Sequence, residues 1–236
     1  MKFFIVHAHP EPKSFNGALT RHAKEFLEIA GHELIISDLY AMRFDPVSDR
    51  RNFIYEKDSD YYKQQIEEIY ATEIDGFAPD IKAEIEKLEW CDVLIFQFPL
   101  WWFALPAILK GWVDRVFAAG RIYGSGKWYD NGILQGKKAM LSFTTGGRAT
   151  MYGETGLYGN IDHILFGINH GTFRYVGFDV LPPFIIWGVK HLDYEQRQAY
   201  LEEYKQRLLK INQTQEIAYP SLQDYDENFQ RKVKIL

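Results

Sequence analysis

The amino-acid sequence predicts an α/β fold built on a doubly wound, parallel, five-stranded sheet. Three observations predict it. Short apolar runs alternate with amphipathic helical patterns along the chain, the signature of parallel strands joined by helical crossovers. The strand runs, Val93–Phe98 above all, are nearly continuous in apolar residues, as burial on both faces requires. The 236 residues, 47% of them hydrophobic, suffice for one such domain with extensions.

The first strand is read at Phe3–Val6. A helix over Gly17–Ala30 follows, with Leu19, Ala23, Phe26, Leu27 and Ala30 on one face. Glu33–Ser37 is the second strand. Met42–Pro79 is too long for a plain loop, and Tyr62, Ile66, Ile69 and Tyr70 mark a helix inside it. A helix over Asp80–Trp90, with Ile81, Ile85 and Leu88 inward, leads to the third strand, Val93–Phe98. The helix Ala104–Ala118 tolerates Pro106 in its first turn. Ala139–Phe143 is the fourth strand. A weaker fifth covers Phe178–Leu181, with Phe184–Ile186 as its extension. A helix over Asp193–Ile211 carries Tyr200, Tyr204, Leu208 and Ile211 on one face. This pattern suits a flavodoxin-like sheet, order 2-1-3-4-5, with an insertion after strand 2. Residues 1–211 then form the domain, and 212–236 a polar extension that wraps it or a partner subunit.

A formal net charge of −5 argues against nucleic acid as a partner. One cysteine, Cys91, permits no intrachain disulfide and fits a reducing, cytoplasmic setting. Lying beside Trp90 ahead of a buried strand, it reads as a structural thiol. His7 and His9 break the N-terminal apolar run, so no secretory signal is expected. Gln97, Pro99, Pro106 and Lys110 interrupt Val93–Val113, so no integral membrane segment is expected. Gly124–Lys127 is not a P-loop, because Arg121 and Trp128 stand where that motif needs Gly and Ser/Thr.

Ligands of open α/β sheets bind beyond the carboxyl ends of the strands. After strand one, Ser14 or Asn16 can cap the helix, and a helix N-terminus beside His9 and Lys13 is a phosphate seat; ordinary capping is the alternative. His7 and His9 share a strand face, but no third metal ligand is apparent. After strand three come Trp101, Trp102 and Phe103, bracketed by prolines. Three consecutive aromatics cannot all enter one core face, which favours stacking on a planar cofactor over a partner-protein contact. After strand four, Thr144-Thr145-Gly146-Gly147 lets backbone approach a ligand closely; a tight turn is the plainer reading. A phosphate seat, an aromatic wall and a polar edge in one crevice match a flavin.

These segments resemble the NAD(P)H:quinone oxidoreductase, or DT-diaphorase, family. The resemblance is carried by Ser37–Met42, Ile95–Leu100, Trp102-Phe103, Pro106–Trp112, Arg115–Phe117, Thr144–Gly147, Met151-Tyr152 and Gly177-Phe178. It extends from Phe3 to Ile211 and leaves the tail uncovered. It implies FAD, a homodimer, and ping-pong hydride transfer from NAD(P)H to a quinone-like acceptor. By position it implies His9, Phe15 and Asn16 at the flavin phosphates, and Leu100, Trp101, Trp102 and Phe103 along the ring. Thr144, Thr145, Gly146, Gly147 and Tyr152 fall at the polar edge, and Asp114 and Arg197 at the adenine end. The family's glutamine in the insertion falls on Lys63, with Gln64 beside it, so FMN stays open as an alternative to FAD. Trp102, Phe103, Tyr123 and Met151 are expected to contact substrate, with Tyr175 contributed by the other subunit.

Two departures stand out. Trp101 occupies a position where relatives carry glutamine, which should make the pocket more apolar. The family places a histidine six residues after its Tyr152 equivalent; here that residue is Tyr158. The family pair relays charge as the flavin becomes anionic. A phenol, neutral at physiological pH, donates a hydrogen bond but supplies no cation. Rival readings are an FMN azoreductase or nitroreductase, a flavin-bound regulatory subunit of a potassium-efflux system, and an electron carrier.

Overall fold

The computed structural model describes residues 1–232; the last four residues of the expected extension lie outside them. Strands β1 (Lys2–His7), β2 (Glu33–Asp38), β3 (Val93–Pro99) and β4 (Lys138–Thr144) are parallel, in the order β2-β1-β3-β4. Two short strands, β5 (Asp179–Val180) and β6 (Phe184–Ile186), share the next position. β5 pairs with Lys138 and Ala139, and β6 with Ser142 to Thr144. Pro182 and Pro183 lie between them and have no N–H to donate, so the ladder breaks there. The predicted order 2-1-3-4-5 is the observed one.

Six α-helices lie among the described residues: α1 (Phe15–Ile29), α2 (Gln64–Ile74), α3 (Pro79–Trp90), α4 (Ala107–Val116), α5 (Ile161–Ile168) and α6 (Tyr194–Leu209). Successive strand residues face opposite ways. Phe3, Ile5, Val93, Ile95 and Met140 therefore pack with Leu19, Phe26 and Tyr204 of α1 and α6. Phe4, Val6, Leu94, Phe96 and Phe98 pack with Ile85, Trp112 and Leu165 on the other face. Ser14 caps α1 and Asp193 caps α6, the latter in a reciprocal box with Gln196. Pro106 is the N-cap of α4 rather than a first-turn residue. Cys91 is buried, its thiol directed at the Leu88 carbonyl (3.3 Å) and pushed up to about 12 by burial.

The insertion is a helix, as predicted, but with its faces exchanged. Glu67, Glu68 and Ala71 are buried, whereas Ile66, Ile69 and Ile74 are exposed. The carboxylates are inward because they satisfy backbone. Glu67 accepts from the Lys57 and Asp58 amides (2.6 and 3.0 Å), and Glu68 from the Ala119 amide (2.7 Å). Arg115, also buried, donates to Asn52 Oδ1 and the Asp45 carbonyl, each at 2.7 Å. Phe44, Phe53 and Phe77 anchor the rest of the insertion in the core, but α2 itself is docked largely by polar contacts, and apolar periodicity cannot reveal its inner face.

The helix α5 and the π-helical turn after it, Asn169–Arg174, are not predicted. Gly167, Asn169 and Gly171 interrupt the helical period there. The tail wraps its own domain: the Ile217 amide donates to the Val180 carbonyl (2.8 Å), and Ser221 to Asp130 (3.0 Å). Among the described residues no helix is long and apolar enough to cross a membrane.

Candidate active site

The ends of β1, β3 and β4 meet because these strands are neighbours in the sheet. Beyond β1, the Ser14 hydroxyl accepts from the Gly17 amide (3.1 Å). The next amides back, those of Phe15 and Asn16, have no acceptor among the described residues, and such first-turn groups form an anion seat. His9 Nδ1 accepts from the Glu11 amide (3.0 Å), which leaves the proton on Nε2. Burial lowers its pKa, so it offers an anion a neutral N–H rather than a charge. His7 turns elsewhere. It is buried against the Thr20 hydroxyl (2.9 Å), and burial pushes its pKa down to about 4.

Asn16 is inside α1, and its side chain is spent within the fold. It donates to Thr144 Oγ1 (2.9 Å) and accepts from Gln97 (2.8 Å), tying α1 to the tips of β3 and β4. Only its main chain is left for a ligand. Thr144 and Thr145 are likewise turned inward; Thr145 Oγ1 donates to the Gly147 carbonyl (2.7 Å). The hydroxyls expected at a ligand's edge therefore support the loop, and Gly146 and Gly147 present backbone.

Beyond β3, Trp101 to Ala104 is a tight turn closed by the Ala104 amide on the Trp101 carbonyl (3.0 Å). Its central residues, Trp102 (φ 51°) and Phe103 (φ 59°), are both left-handed, as in a type I′ turn. Glycine or asparagine is usual there; side chains such as these cost roughly 1–3 kcal/mol each. The turn holds Trp102 94% exposed and sets Phe103 against Tyr158, ring centres 5.2 Å apart. Trp101 lies beside His9 (6.2 Å).

Beyond β4, Tyr152 and Tyr158 pack edge to face at 5.2 Å, and Tyr152 also meets Trp187 at 5.0 Å. The Tyr158 amide donates to the Met151 carbonyl (2.9 Å), which fixes the spacing of the pair. Gly147 makes room for both rings. A Cβ there would lie 2.9 Å from Tyr158 and 3.0 Å from Tyr152, whereas one at Gly146 would touch nothing within 4 Å. Burial, and then the neighbouring Tyr158, raise the Tyr152 phenol, so Tyr152 keeps its proton as a donor.

The β3 turn and the loop beyond β4 line a cleft of about 550 Å³. Leu100, Trp102 and Phe103 come from the first, and Gly146, Gly147, Met151 and the two tyrosines from the second. Arg148, Lys190 and His191 also line it, and sequence reasoning misses all three. Exposed polar side chains in loops carry no periodic signal, and only the tertiary fold brings residues 188–191 to the β4 loop.

Other expected residues lie apart. Tyr123 and Tyr175 pair at 5.9 Å in a second cleft of about 350 Å³, with Gln65, Ile69 and Trp128. The two clefts share no lining residue, so one chain does not join these tyrosines to Trp102. Arg197 places its guanidinium 5.4 Å over the Phe15 ring and donates to the Leu192 and Val189 carbonyls. Asp114, on α4, pairs with Lys110 (2.5 Å), and its carbonyl accepts from Gln64 Nε2 (3.0 Å). Gln64, rather than Lys63, is thus the insertion residue beside Asp114.

Comparison with known proteins agrees with this fold. A family model described as a flavodoxin-like fold matches residues 1–210. NAD(P)H dehydrogenase [quinone] 1 of Rattus norvegicus is 42% identical over 227 residues, 96% of this chain and 83% of the relative. Ribosyldihydronicotinamide dehydrogenase [quinone] of Mus musculus is 42% identical, covering 89% of this chain and 91% of the relative. A solved Klebsiella pneumoniae protein with a provisional quinone-reductase name superposes with a TM-score of 0.95 at 40% identity, covering 98% of this chain and 94% of that one. The chain belongs to the flavodoxin-like fold family, within its NAD(P)H:quinone oxidoreductase branch.

Proposed function

We propose that this protein is a flavin-dependent NAD(P)H dehydrogenase that reduces quinones by two-electron transfer. The carrying observation is the convergence, in one cleft, of a strained aromatic turn and a glycine-backed tyrosine pair, beside which Asn16 ties the open N-terminus of α1 to the tip of β4. The residues fit a flavin. The Phe15 and Asn16 amides and His9 Nε2–H suit its phosphate, Gly146 and Gly147 bring backbone N–H groups to its polar edge, and Leu100 to Phe103 flank its ring. A bound flavin supplies reversible hydride acceptance. The chain's own part is to orient and to stabilise. Trp102 and Phe103 hold a flat visitor in register. Tyr152, with Tyr158 beside it, donates hydrogen bonds where negative charge collects on reduction.

FAD is favoured over FMN, because Gln64 beside Asp114 and Arg197 over Phe15 suit an adenosine extension. A homodimer accounts for the exposed Ile66, Ile69 and Ile74. It also brings Tyr123 and Tyr175 of a second copy over the Trp102 turn. Residues 1–211 act as the catalytic domain, 212–236 as its extension, and the working compartment is the cytoplasm.

The test is a spectrum of the purified protein before and after anaerobic NAD(P)H, with the released cofactor weighed. Yellow protein that bleaches, and is recoloured by a quinone, is the expected result. A colourless protein that takes up neither FAD nor FMN overturns the reading.

A further inference from the structure

The cleft assigned above to a flavin and to the flat visitor that Trp102 and Phe103 hold, donor and acceptor in turn, is bordered by basic side chains that this reading does not use. Arg148 follows Gly147 directly, and Lys190 and His191 lie in the short helical turn Val189–His191. Gly188, left-handed at φ 58°, swings that turn onto the β4 loop. Its amide donates to the Gly147 carbonyl (2.8 Å), and a Cβ on it would lie 3.5 Å from Arg148 Cγ. Two loops distant in sequence are thereby stitched into one wall. Arg148 and Lys190 are exposed, and neither has an ion-pair partner among the described residues. No carboxylate lines the cleft. On a chain of net charge −5 this is a local reversal of sign. Unpaired charges of one sign around a low-dielectric slot concentrate the opposite ion there.

We infer that Arg148 and Lys190 form an anion-selecting rim. A planar substrate is favoured when it carries a negative group, whether the diphosphate of the nicotinamide donor or an acidic substituent on the quinone. Arg148 offers the planar fork that grips carboxylate, sulfonate or phosphate oxygens. Lys190 adds a point charge. The inference rests on the cleft being the shared slot. Both side chains are wet, so each contributes modestly; together they should favour an anionic visitor about tenfold, less as salt rises.

The test uses the flavin-loaded full chain and the double variant Arg148→Gln/Lys190→Gln. In the donor arm, NADH is compared with reduced nicotinamide riboside, which lacks phosphate. In the acceptor arm, a naphthoquinone sulfonate is compared with the parent naphthoquinone. The variant should lower one of these kcat/KM ratios about tenfold at low salt, mainly through KM, and the deficit should shrink with added sodium chloride. A fall confined to the donor arm identifies the diphosphate as the recognised group, and one confined to the acceptor arm identifies the substituent. A redox-inert probe, naphthalene-2-sulfonate, titrated by tryptophan fluorescence should bind the variant correspondingly more weakly. The single variant Lys190→Glu should move the same ratio further than Lys190→Gln. If both ratios and the probe affinity stay within twofold of wild type, the rim does not select anions. A wild-type protein that fails to bleach with any donor would instead sink the quinone-reductase reading.

Discussion

Gly147 is glycine because two tyrosine rings and the Met151 sulfur occupy the space a side chain needs. Gly147→Ala should cost about 1–3 kcal/mol, whereas Gly146→Ala, facing open space, should stay within about 0.5 kcal/mol. Urea unfolding of the flavin-free proteins compares them, and equal costs would remove the packing argument. Tyr158→Phe should slow flavin reduction or reshape its pH profile in stopped-flow bleaching; an unaltered rate and profile would leave Tyr158 without a role. His7 supplies a pH test. Its folded pKa of about 4 lies below the unfolded value of 6.5, so the unfolded chain binds more protons in between. The stability tied to neutral His7 is complete above pH 6.5 and is lost towards pH 4, roughly 3 kcal/mol in all. His7→Asn should flatten that part of the stability curve; a curve superimposable on wild type would contradict it. At this scale the sequence was partly legible. The triplet Trp101–Phe103 and the pair Gly146-Gly147 stood out by composition. The inward use of Asn16, Thr144 and Thr145 did not, because a side-chain amide or hydroxyl reads the same whether it serves ligand or fold.

Among the described α-helices, α1, α5 and α6 carry side-chain caps, and α1 begins at the tip of β1, where the phosphate is read to sit. Ser14→Ala and Asp193→Ala should each lose about 1 kcal/mol in thermal unfolding. Ser14→Ala alone should also weaken flavin uptake, measured by quenching of flavin fluorescence. Equal uptake by the two variants would show that the α1 end does not hold phosphate. The strands and the four helices predicted to pack against them by apolar stripes, α1, α3, α4 and α6, are legible because burial writes a period into the sequence. The helix α2 exists where predicted, yet its inner face is polar, so its stripe points away from the domain. Pro106 ends a loop rather than opening a helix, a one-turn shift that propensity does not resolve.

For the molecule as a whole, the order of the sheet followed from the alternation of elements, whereas the separation of Tyr123 from Trp102 did not. That separation becomes a test of the two-copy site. Trp102→Ala and Tyr123→Ala should each lower quinone reduction at least tenfold. Heterodimers carrying one variant on each copy retain one intact site and should recover about half of wild-type activity. No recovery in verified heterodimers would place each site within a single chain. The order-of-magnitude loss rests on stacking contributions of about 1–2 kcal/mol per ring.

The gap between β5 and β6 has a consequence of its own. An open sheet ends in a row of amides and carbonyls that can recruit a stranger's backbone. At the far side of β4 that row is interrupted by Pro182 and Pro183, and the Val180 carbonyl is already taken by Ile217. That margin of the sheet, opposite β2, is thus poorly suited to templating fibrils, a protection seated in three residues of sequence rather than in the core.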